Sequence, residues 1–554
     1  MTVALDTPAL RKARGAFFTP PELSRYVAEW AVRGAEDLVL EPSCGEAAFL
    51  LAAGERLVAL RGAAPRLRQL TGVELHGASA RQAVGLLDAA GLPATVTSGD
   101  FFQYPPRACY DAVVGNPPYI RYQEFTGAAR AISREVALAQ GVRLTGLASS
   151  WAAFTVHSAL FLRPGGRLGL VLPAELLTVN YAAEVRAFLM RRFARVRLVL
   201  FKERVFPEVQ EEVVLLLAEG AGPTDHCELL QLRDAADLDR LDHAPYSWSP
   251  PRDGGKWTPA LLSTDALDIY RQVEAGSGYT HLSDWGRVSL GAVTGNNRFF
   301  ALSESRVRDL RLGEQDVVPL SPPGSRHLRA ATLSTAGWNH LLATGKGGFL
   351  FRPHGQPGPA ARAYIAAGEA LGVHEGYKCR VRDPWWRVPL SPTADLLLTY
   401  MNAGTVQLAT NRAGVHHVNS VHGLVLAPEH RQLGRDLLAL ASLNSMTLLG
   451  AEIVGRAYGG GMLKLEPREA DLLPVPASTV LLGEAGQQLR ILRPALSRLL
   501  RQGEVQRVVD LVDQVILVKG VGIDPEQRAQ LKAARRLLVA RRAARGKAGV
   551  SSDL

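Results

Sequence analysis

Between residue 15 and about residue 220 the chain alternates short β-branched, apolar runs with helical stretches, and this alternation limits the fold more than any other feature. "EDLVLEPSCGEAAFLLAAGERL" reads as strand, tight turn and helix, and "RQLTGVELHGASARQAVGLLDAAG" as strand, loop and helix. "ATVTSGDFF" is a short strand, "YDAVVGNPPY" a strand with its exit loop, and "WAAFTVHSALFLRPGGRLGLVLPAELL" a helix, a Pro-Gly-Gly turn and a strand. Strands separated by helices imply an α/β fold with a mostly parallel, doubly wound sheet. Ligands in such sheets bind outside the carboxyl ends of the strands. The unusual loops of this region all fall at such ends.

Taken in order, those ends describe a ligand. The first strand runs into Glu41-Pro42 and then Ser43-Cys44-Gly45, where small residues let the backbone come close to a bound group. This is not the GxGxxG phosphate fingerprint, so a ligand with little or no phosphate fits better. The second strand ends in Glu74, the position from which a carboxylate accepts from both ribose hydroxyls. The third ends in Asp100-Phe101; the acid suits an exocyclic adenine amine and the ring suits a base. Each acid alone would be an ordinary loop acid. Their succession after consecutive strands points to a nucleoside without a pyrophosphate, and S-adenosyl-L-methionine fits that description.

The fourth strand carries the strongest local signal, "YDAVVGNPPYIRY" (residues 110–122). Ala112, Val113 and Val114 form a buried-type run that breaks at Gly115 into Asn116-Pro117-Pro118-Tyr119. Two consecutive prolines remove two backbone donors and fix two φ angles. The order "GAFFTPPEL", "VLEPSCGEAAF", "GVEL", "SGDFF", "VVGNPPY", "LRPGGRLGLVLP" resembles the γ group of DNA amino-methyltransferases, of the TaqI methyltransferase type, over about residues 11 to 220. It continues weakly into "YGGGMLKLEPREADLLPVP".

The resemblance implies a Rossmann-like, S-adenosylmethionine-dependent domain. It implies that Thr19 helps close over the cofactor, that Glu41, Pro42, Ser43 and Gly45 lie near its methionine part, that Glu74 binds the ribose, and that Asp100 and Phe101 hold the adenine. Asn116, Pro117, Pro118 and Tyr119 become the catalytic loop, with Asn116 also beside the cofactor; Phe206 takes the place of a second aromatic against the target base, and Phe154 is a looser match for it. Ser43-Cys44 and a basic extension past the last family-like motif depart from the pattern without touching the chemistry.

A base amine is a poor nucleophile because its lone pair is delocalised into the ring. Acceptors for both of its hydrogens, the Asn116 side-chain carbonyl and the Pro117 backbone carbonyl, would favour a pyramidal nitrogen, and the prolines would set that geometry in advance. The amine of a paired base is tied up in the duplex, so the base must be extruded at a cost of a few kcal/mol. Stacking on an aromatic ring returns about 1–3 kcal/mol.

The rest of the chain is read by texture. The expected organisation is a catalytic domain over 1–235, a connector over 236–284, a mixed α+β DNA-recognition domain over 285–475 and a helical, basic C-terminal region over 476–554. The connector carries Pro, Gly, Asp and Trp, as in "HAPYSWSPPRDGGKWTPALL". "VTGNNRFF" and "RVRDPWWR" mix Arg, Asn and aromatics, so Asn296, Asn297, Arg298, Arg380, Arg382 and Arg387 are the expected DNA contacts; the competing reading is a Trp-containing core with surface Arg. The final basic helix lies on phosphates or is a solvated tail. The net charge of +10 fits a polyanionic partner, although Arg far outnumbers Lys, as in chains from high-GC genomes.

The four cysteines are scattered, which argues for a reducing compartment and against a zinc framework. His416 and His417 are adjacent and would point to opposite faces of a strand, so no metal is expected there or with His422. There is no membrane-length apolar run, no h-region at the N-terminus and no paired-acid-and-lysine nuclease motif. The expectation is a prokaryotic cytoplasmic, nucleoid-associated enzyme without a fused nuclease. It would act on double-stranded DNA, with a cognate restriction endonuclease as a candidate partner. Three rivals stand: N4-cytosine methylation by the same loop logic, protein glutamine methylation, and a catalytically idle DNA-binding protein.

Overall fold

The computed structural model describes residues 19–120, 127–146, 148–203, 205, 212–240, 244–251 and 254–548. It comprises two compact units, Met1–Ser263 and Thr264–Leu554. The boundary falls inside the segment read as a connector.

The first unit is built on one nine-stranded sheet. Its strands are β1 (Val39–Pro42), β2 (Leu70–Glu74), β3 (Ala94–Ser98), β4 (Tyr110–Gly115), β5 (Leu162–Pro173), β6 (Arg195–Phe201), β7 (Val213–Glu219), β8 (Cys227–Leu232) and β9 (Tyr246–Trp248). The spatial order is β3-β2-β1-β4-β5-β7-β6-β8-β9. β3, β2, β1, β4 and β5 run parallel, β7 is antiparallel to both neighbours, and β9 is antiparallel to β8. The sheet is therefore mixed, with a parallel half of five strands.

Its longer helices are α1 (Pro21–Ala31), α2 (Ala48–Arg61), α3 (Gly77–Ala89), α4 (Gly127–Ala139), α5 (Ser150–Ala159) and α6 (Ala183–Arg192). α1 begins with Pro21, whose missing N–H costs nothing at a helix start, and buries Leu23, Val27, Ala28 and Ala31 at helical spacing. β4 is buried at all six positions, as a central parallel strand must be. Connections from β1 proceed to one side through β2 and β3, whereas β4 and β5 lie on the other. The crevice where the direction reverses, between β1 and β4, is the place where such sheets bind ligands. Buried polar ties hold the opposite, amino ends of these strands: Arg167 pairs with Asp37 at 2.7 Å, and the Asp111 carboxylate accepts from the Leu38 N–H at 2.8 Å.

The second unit contains a five-stranded sheet in the order Gly286–Leu290, Val421–Leu426, Leu396–Thr399, Leu408–Asn411, Thr332–Leu333, with smaller sheets beside it. Four helical segments follow, the last spanning Pro525–Ala548. That basic helix buries one face, with Leu531, Ala534 and Leu538 among its buried residues. Arg542 is 4% exposed and makes a two-pronged bond to Glu452, with both N···O distances 2.9 Å. No single described helix is long and apolar enough to cross a membrane.

Candidate active site

The loop after β1 is strained. Ser43, Gly45 and Ala47 have φ of 54°, 51° and 63°, and two of the three carry a Cβ in that left-handed region. Such outliers persist where their surroundings over-determine them, most often at functional sites. Two carboxylates hold this loop. Glu74, 7% exposed, accepts from the Gly45 N–H at 3.0 Å with Oε2 and from the His76 N–H at 2.9 Å with Oε1. Glu41, 3% exposed, accepts from the Leu50 N–H at 2.9 Å. α2 has Ala47 at its N-cap and no side-chain cap of its own, so Glu41 serves as the cap from β1. Burial pushes the Glu41 carboxyl well above the usual carboxylate range; the Leu50 and Phe49 amides work against this and nearby Glu74 adds to it. Cys44 lies in the core below, against Gly72 and Leu50, and burial likewise pushes its thiol up.

After β3, Asp100 caps a short turn by accepting from the Phe102 N–H at 3.0 Å with Oδ1; Oδ2 has no hydrogen bond among the described residues. Phe101 is 2% exposed and sits in an aromatic cluster, stacked on Phe154 (5.5 Å) and Phe161 (5.2 Å) and edge-on to His157 (4.6 Å). Phe154, 6% exposed, is buried in the same cluster.

After β4, the Asn116 amide donates to Thr19 Oγ1 at 3.2 Å. Its carboxamide oxygen lies 2.7 Å from the Tyr119 hydroxyl, which is also 3.0 Å from the Val171 carbonyl on β5. Tyr119 is half-buried, its ring resting on the core. Ser150 bonds to Pro118 and Ile120. Sequence reasoning missed Ser150 and Val171. Nothing local marks a strand carbonyl, whereas the Ser-Ser pair ahead of an apolar helical run was a legible helix-start signal. Phe206 lies outside the described residues.

The sheet order places these ends in a row: Asp100, Glu74, the Glu41–Gly45 loop, then Asn116. Three inter-strand spacings give the row a length of about 14 Å. The row offers Asp100 Oδ2, the remaining lone pairs of Glu74 and the backbone of a close-approach loop. Glu41 contributes through that backbone.

In the second unit the two mixed motifs meet. A Cβ on Gly295, whose φ is +83°, would come within 3.0 Å of the Lys378 Cβ and 3.3 Å of the Cys379 Sγ. Phe299, Phe300 and Trp386 are core. Arg298, Arg380 and Arg387 are exposed; Arg387 lies over the Trp386 ring. Asn296 and Asn297 cap the turn, accepting from the Phe299 N–H at 3.2 Å and the Thr294 hydroxyl at 2.6 Å. The Arg382 guanidinium turns inward, donating to the Val293 carbonyl and, at 2.8 Å, to the Thr294 carbonyl. His422 gives its ring nitrogen to the Leu465 carbonyl at 2.7 Å, and the His417 ring sits between Gly291 and Gly423.

Residues 5–230 match the family described as N-6 DNA Methylase, and residues 254–517 match the C-terminal domain of type II methyltransferase M.Eco57I. Among curated proteins the chain is similar to type II methyltransferase M.XamI of Xanthomonas campestris pv. amaranthicola, with 25% identity over 84% of this chain and 85% of that one. It is also similar to type II methyltransferase M.AccI of Acinetobacter calcoaceticus, with 20% identity over 65% and 68%. Among solved structures, the type IIG restriction endonuclease BpuSI superposes with a TM-score of 0.45 at 14% identity, over 98% of this chain and 68% of that one.

Proposed function

Matched by the N-6 DNA methylases over residues 5–230 and by the C-terminal domain of type II methyltransferase M.Eco57I over 254–517, the chain is an N6-type DNA methyltransferase by family, and we propose that it methylates the exocyclic amine of adenine at a specific site in duplex DNA, with S-adenosyl-L-methionine as donor. One observation carries the proposal. Along the sheet edge Asp100 and Glu74 stand in the order of adenine and ribose in that donor, and the Gly45 loop and Asn116 beyond them flank the place of its sulfonium, which bears both the amino-acid tail and the methyl group. Asp100 Oδ2 accepts from the adenine amine and Glu74 from the ribose hydroxyls. The strained loop lets backbone approach the tail. When bound, the donor supplies an electrophilic methyl group next to the β4 loop.

Asn116 and Pro117 then act on the target. The Asn116 carboxamide oxygen and the Pro117 carbonyl accept the two amine hydrogens and turn the lone pair out of the ring plane. Tyr119 has one hydroxyl proton and two acceptors within reach. When that proton goes to the Val171 carbonyl, the Asn116 oxygen is left for the amine. The Tyr119 ring stacks the extruded base, and Phe206 is the proposed second ring. The sequence is read by the second unit, with Asn296, Asn297, Arg298 and Arg380 as the proposed contacts. A cognate restriction endonuclease is the proposed partner in the cell.

The test is sequencing with modified-base detection of DNA from a methylation-free host expressing the chain. N6-methyladenine confined to one recognition sequence is expected. N4-methylcytosine would reassign the base. Unmodified DNA would favour the protein-methylation or idle-binder readings, which donor titration and a glutamine peptide would separate.

A further inference from the structure

Ser150 is fully buried at the start of α5, and its polar groups are turned toward the β4 loop, 30 residues away in sequence. Its hydroxyl donates to the Pro118 carbonyl and accepts from the Ile120 N–H at 2.9 Å, and its own N–H donates to the Ile120 carbonyl at 3.1 Å. A buried hydroxyl in a helix ordinarily bonds back to the carbonyl four residues earlier. Thr155 does so in this same helix, with Oγ1 2.8 Å from the Trp151 carbonyl. Ser150, as the helix's first residue, has no helical carbonyl four places back, and it closes a three-bond clamp on a loop whose own prolines can donate nothing at 117 and 118.

The clamp has a selective consequence. Of the carbonyls at 117, 118 and 120, Pro118 and Ile120 are taken by Ser150, and Pro117 has no hydrogen bond among the described residues. The prolines fix φ on either side of the Pro117–Pro118 peptide, and the clamp fixes the next peptide planes. Little freedom then remains for the Pro117 carbonyl to turn away. We propose that Ser150 is a positioning residue for methyl transfer: by engaging the carbonyls on either side of Tyr119, it leaves the Pro117 carbonyl available and holds it in register with Asn116. This rests on the reading of the β4 loop as the amine-binding element.

A group that acts by aiming another shows in the chemical step rather than in ground-state binding. Misplacing a reacting group by about 1 Å costs on the order of 10²-fold. In the full-length protein, Ser150→Ala is expected to lower single-turnover methyl transfer to cognate duplex about 10- to 100-fold, while donor and DNA dissociation constants stay within about threefold. Thr155→Ala, which removes an equally buried hydroxyl from the same helix without touching the loop, is expected to leave the rate within about threefold. In an Asn116→Ala background, Ser150→Ala is expected to add less than about threefold, because both changes destroy one geometry. Ser150→Cys, nearly isosteric and a weak donor, carries the same measurement if the alanine variant does not fold.

A near-wild-type rate for Ser150→Ala, an equal loss in Thr155→Ala, or full multiplicative losses in the double variant would each overturn the proposal. These outcomes are distinct from failure of the reading beneath it. If Asn116→Ala itself transfers methyl normally, the loop does not hold the amine and the proposal falls with it. If Asn116→Ala is inactive and Ser150→Ala is normal, only the clamp is refuted.

Discussion

The Tyr119 hydroxyl lies 2.7 Å from the Asn116 carboxamide oxygen, so the residue proposed to stack the target base also occupies the acceptor proposed to hold its amine. The Val171 carbonyl, 3.0 Å from the same hydroxyl, gives the proton somewhere else to go. Ring and hydroxyl can be separated by experiment. Tyr119→Phe keeps the ring and is expected to extrude the base normally, at a stability cost of about 0.5–1.5 kcal/mol for the lost hydrogen bond. Tyr119→Ala is expected to lose about 1–3 kcal/mol of base stabilisation. A fluorescent base analogue at the target position, read with thermal unfolding, checks both; equal fluorescence in the two variants would remove the ring from base binding.

Asn116→Ala is expected to lower single-turnover methyl transfer by about 10²–10³, the usual cost of deleting one preorganised partner of a transition state. Donor and DNA affinities are expected to change little, since the acceptor acts mainly as the amine becomes pyramidal. Near-normal transfer would reduce the Asn-Pro-Pro-Tyr loop to a rigid turn.

Glu74→Ala is expected to weaken donor binding by about 1.5–3 kcal/mol, the range for hydrogen bonds to a charged group. Part of the loss is indirect, because the Gly45 and His76 amides lose their acceptor and the strained loop its anchor. DNA affinity measured without donor is expected to be unchanged. Isothermal titration of both ligands decides, and unaltered donor affinity would place the ribose elsewhere.

Much of this site was legible because its signals are local. An apolar run broken by two prolines marks β4 and its exit, and acids at successive strand ends mark Glu74 and Asp100. What escaped depends on contacts distant in sequence. β7 runs against both its neighbours, and nothing in its apolar run says so. That Glu41 also caps α2 was not foreseen; the clue was negative, a helix start with Ala47 where Ser, Asp or Asn would stand. Arg382 and Arg298 are alike in sequence, and only the fold turns one inward and leaves the other exposed.

The second unit should lose stability in mild acid. Burial lowers His417 from the ordinary 6.5 to about 4, and His327 likewise to about 4. Both fold neutral, so between pH 6.5 and 4 the unfolded chain binds more protons and stability falls with falling pH. For His417 the full difference is about 3 kcal/mol at 1.36 kcal/mol per unit. Asp513 acts in the opposite sense: burial raises it from 3.8 to about 6, so its contribution grows as pH falls through that range. Urea unfolding from pH 7.5 to 4 is expected to show a net decline, flattened in His417→Leu. An unchanged slope in that variant would mean the ring is not kept neutral by the fold.

DNA binding is expected to weaken steeply with salt. The net charge of +10 fits several phosphate contacts, each contributing about −0.9 to the slope of log K against log salt. Arg298 and Arg380 are exposed on the surface where the two mixed motifs meet, and Arg382 braces that surface from within. If both exposed residues contact phosphate, Arg298→Ala with Arg380→Ala reduces the slope by about 1.8. If they read base edges, the slope changes less, and discrimination between cognate DNA and singly altered sites falls by about 1–3 kcal/mol per lost contact. Arg382→Ala behaves differently from either, because removing it takes the guanidinium donor from the Val293 carbonyl and leaves the Thr294 carbonyl with the weak Cys379 thiol donor. Its expected effect is a lower thermal midpoint, with a normal salt slope in the fraction that remains folded. Fluorescence anisotropy at several salt concentrations, on cognate and altered duplexes, separates these cases. A double variant with unchanged slope and unchanged discrimination would remove this surface from the DNA interface.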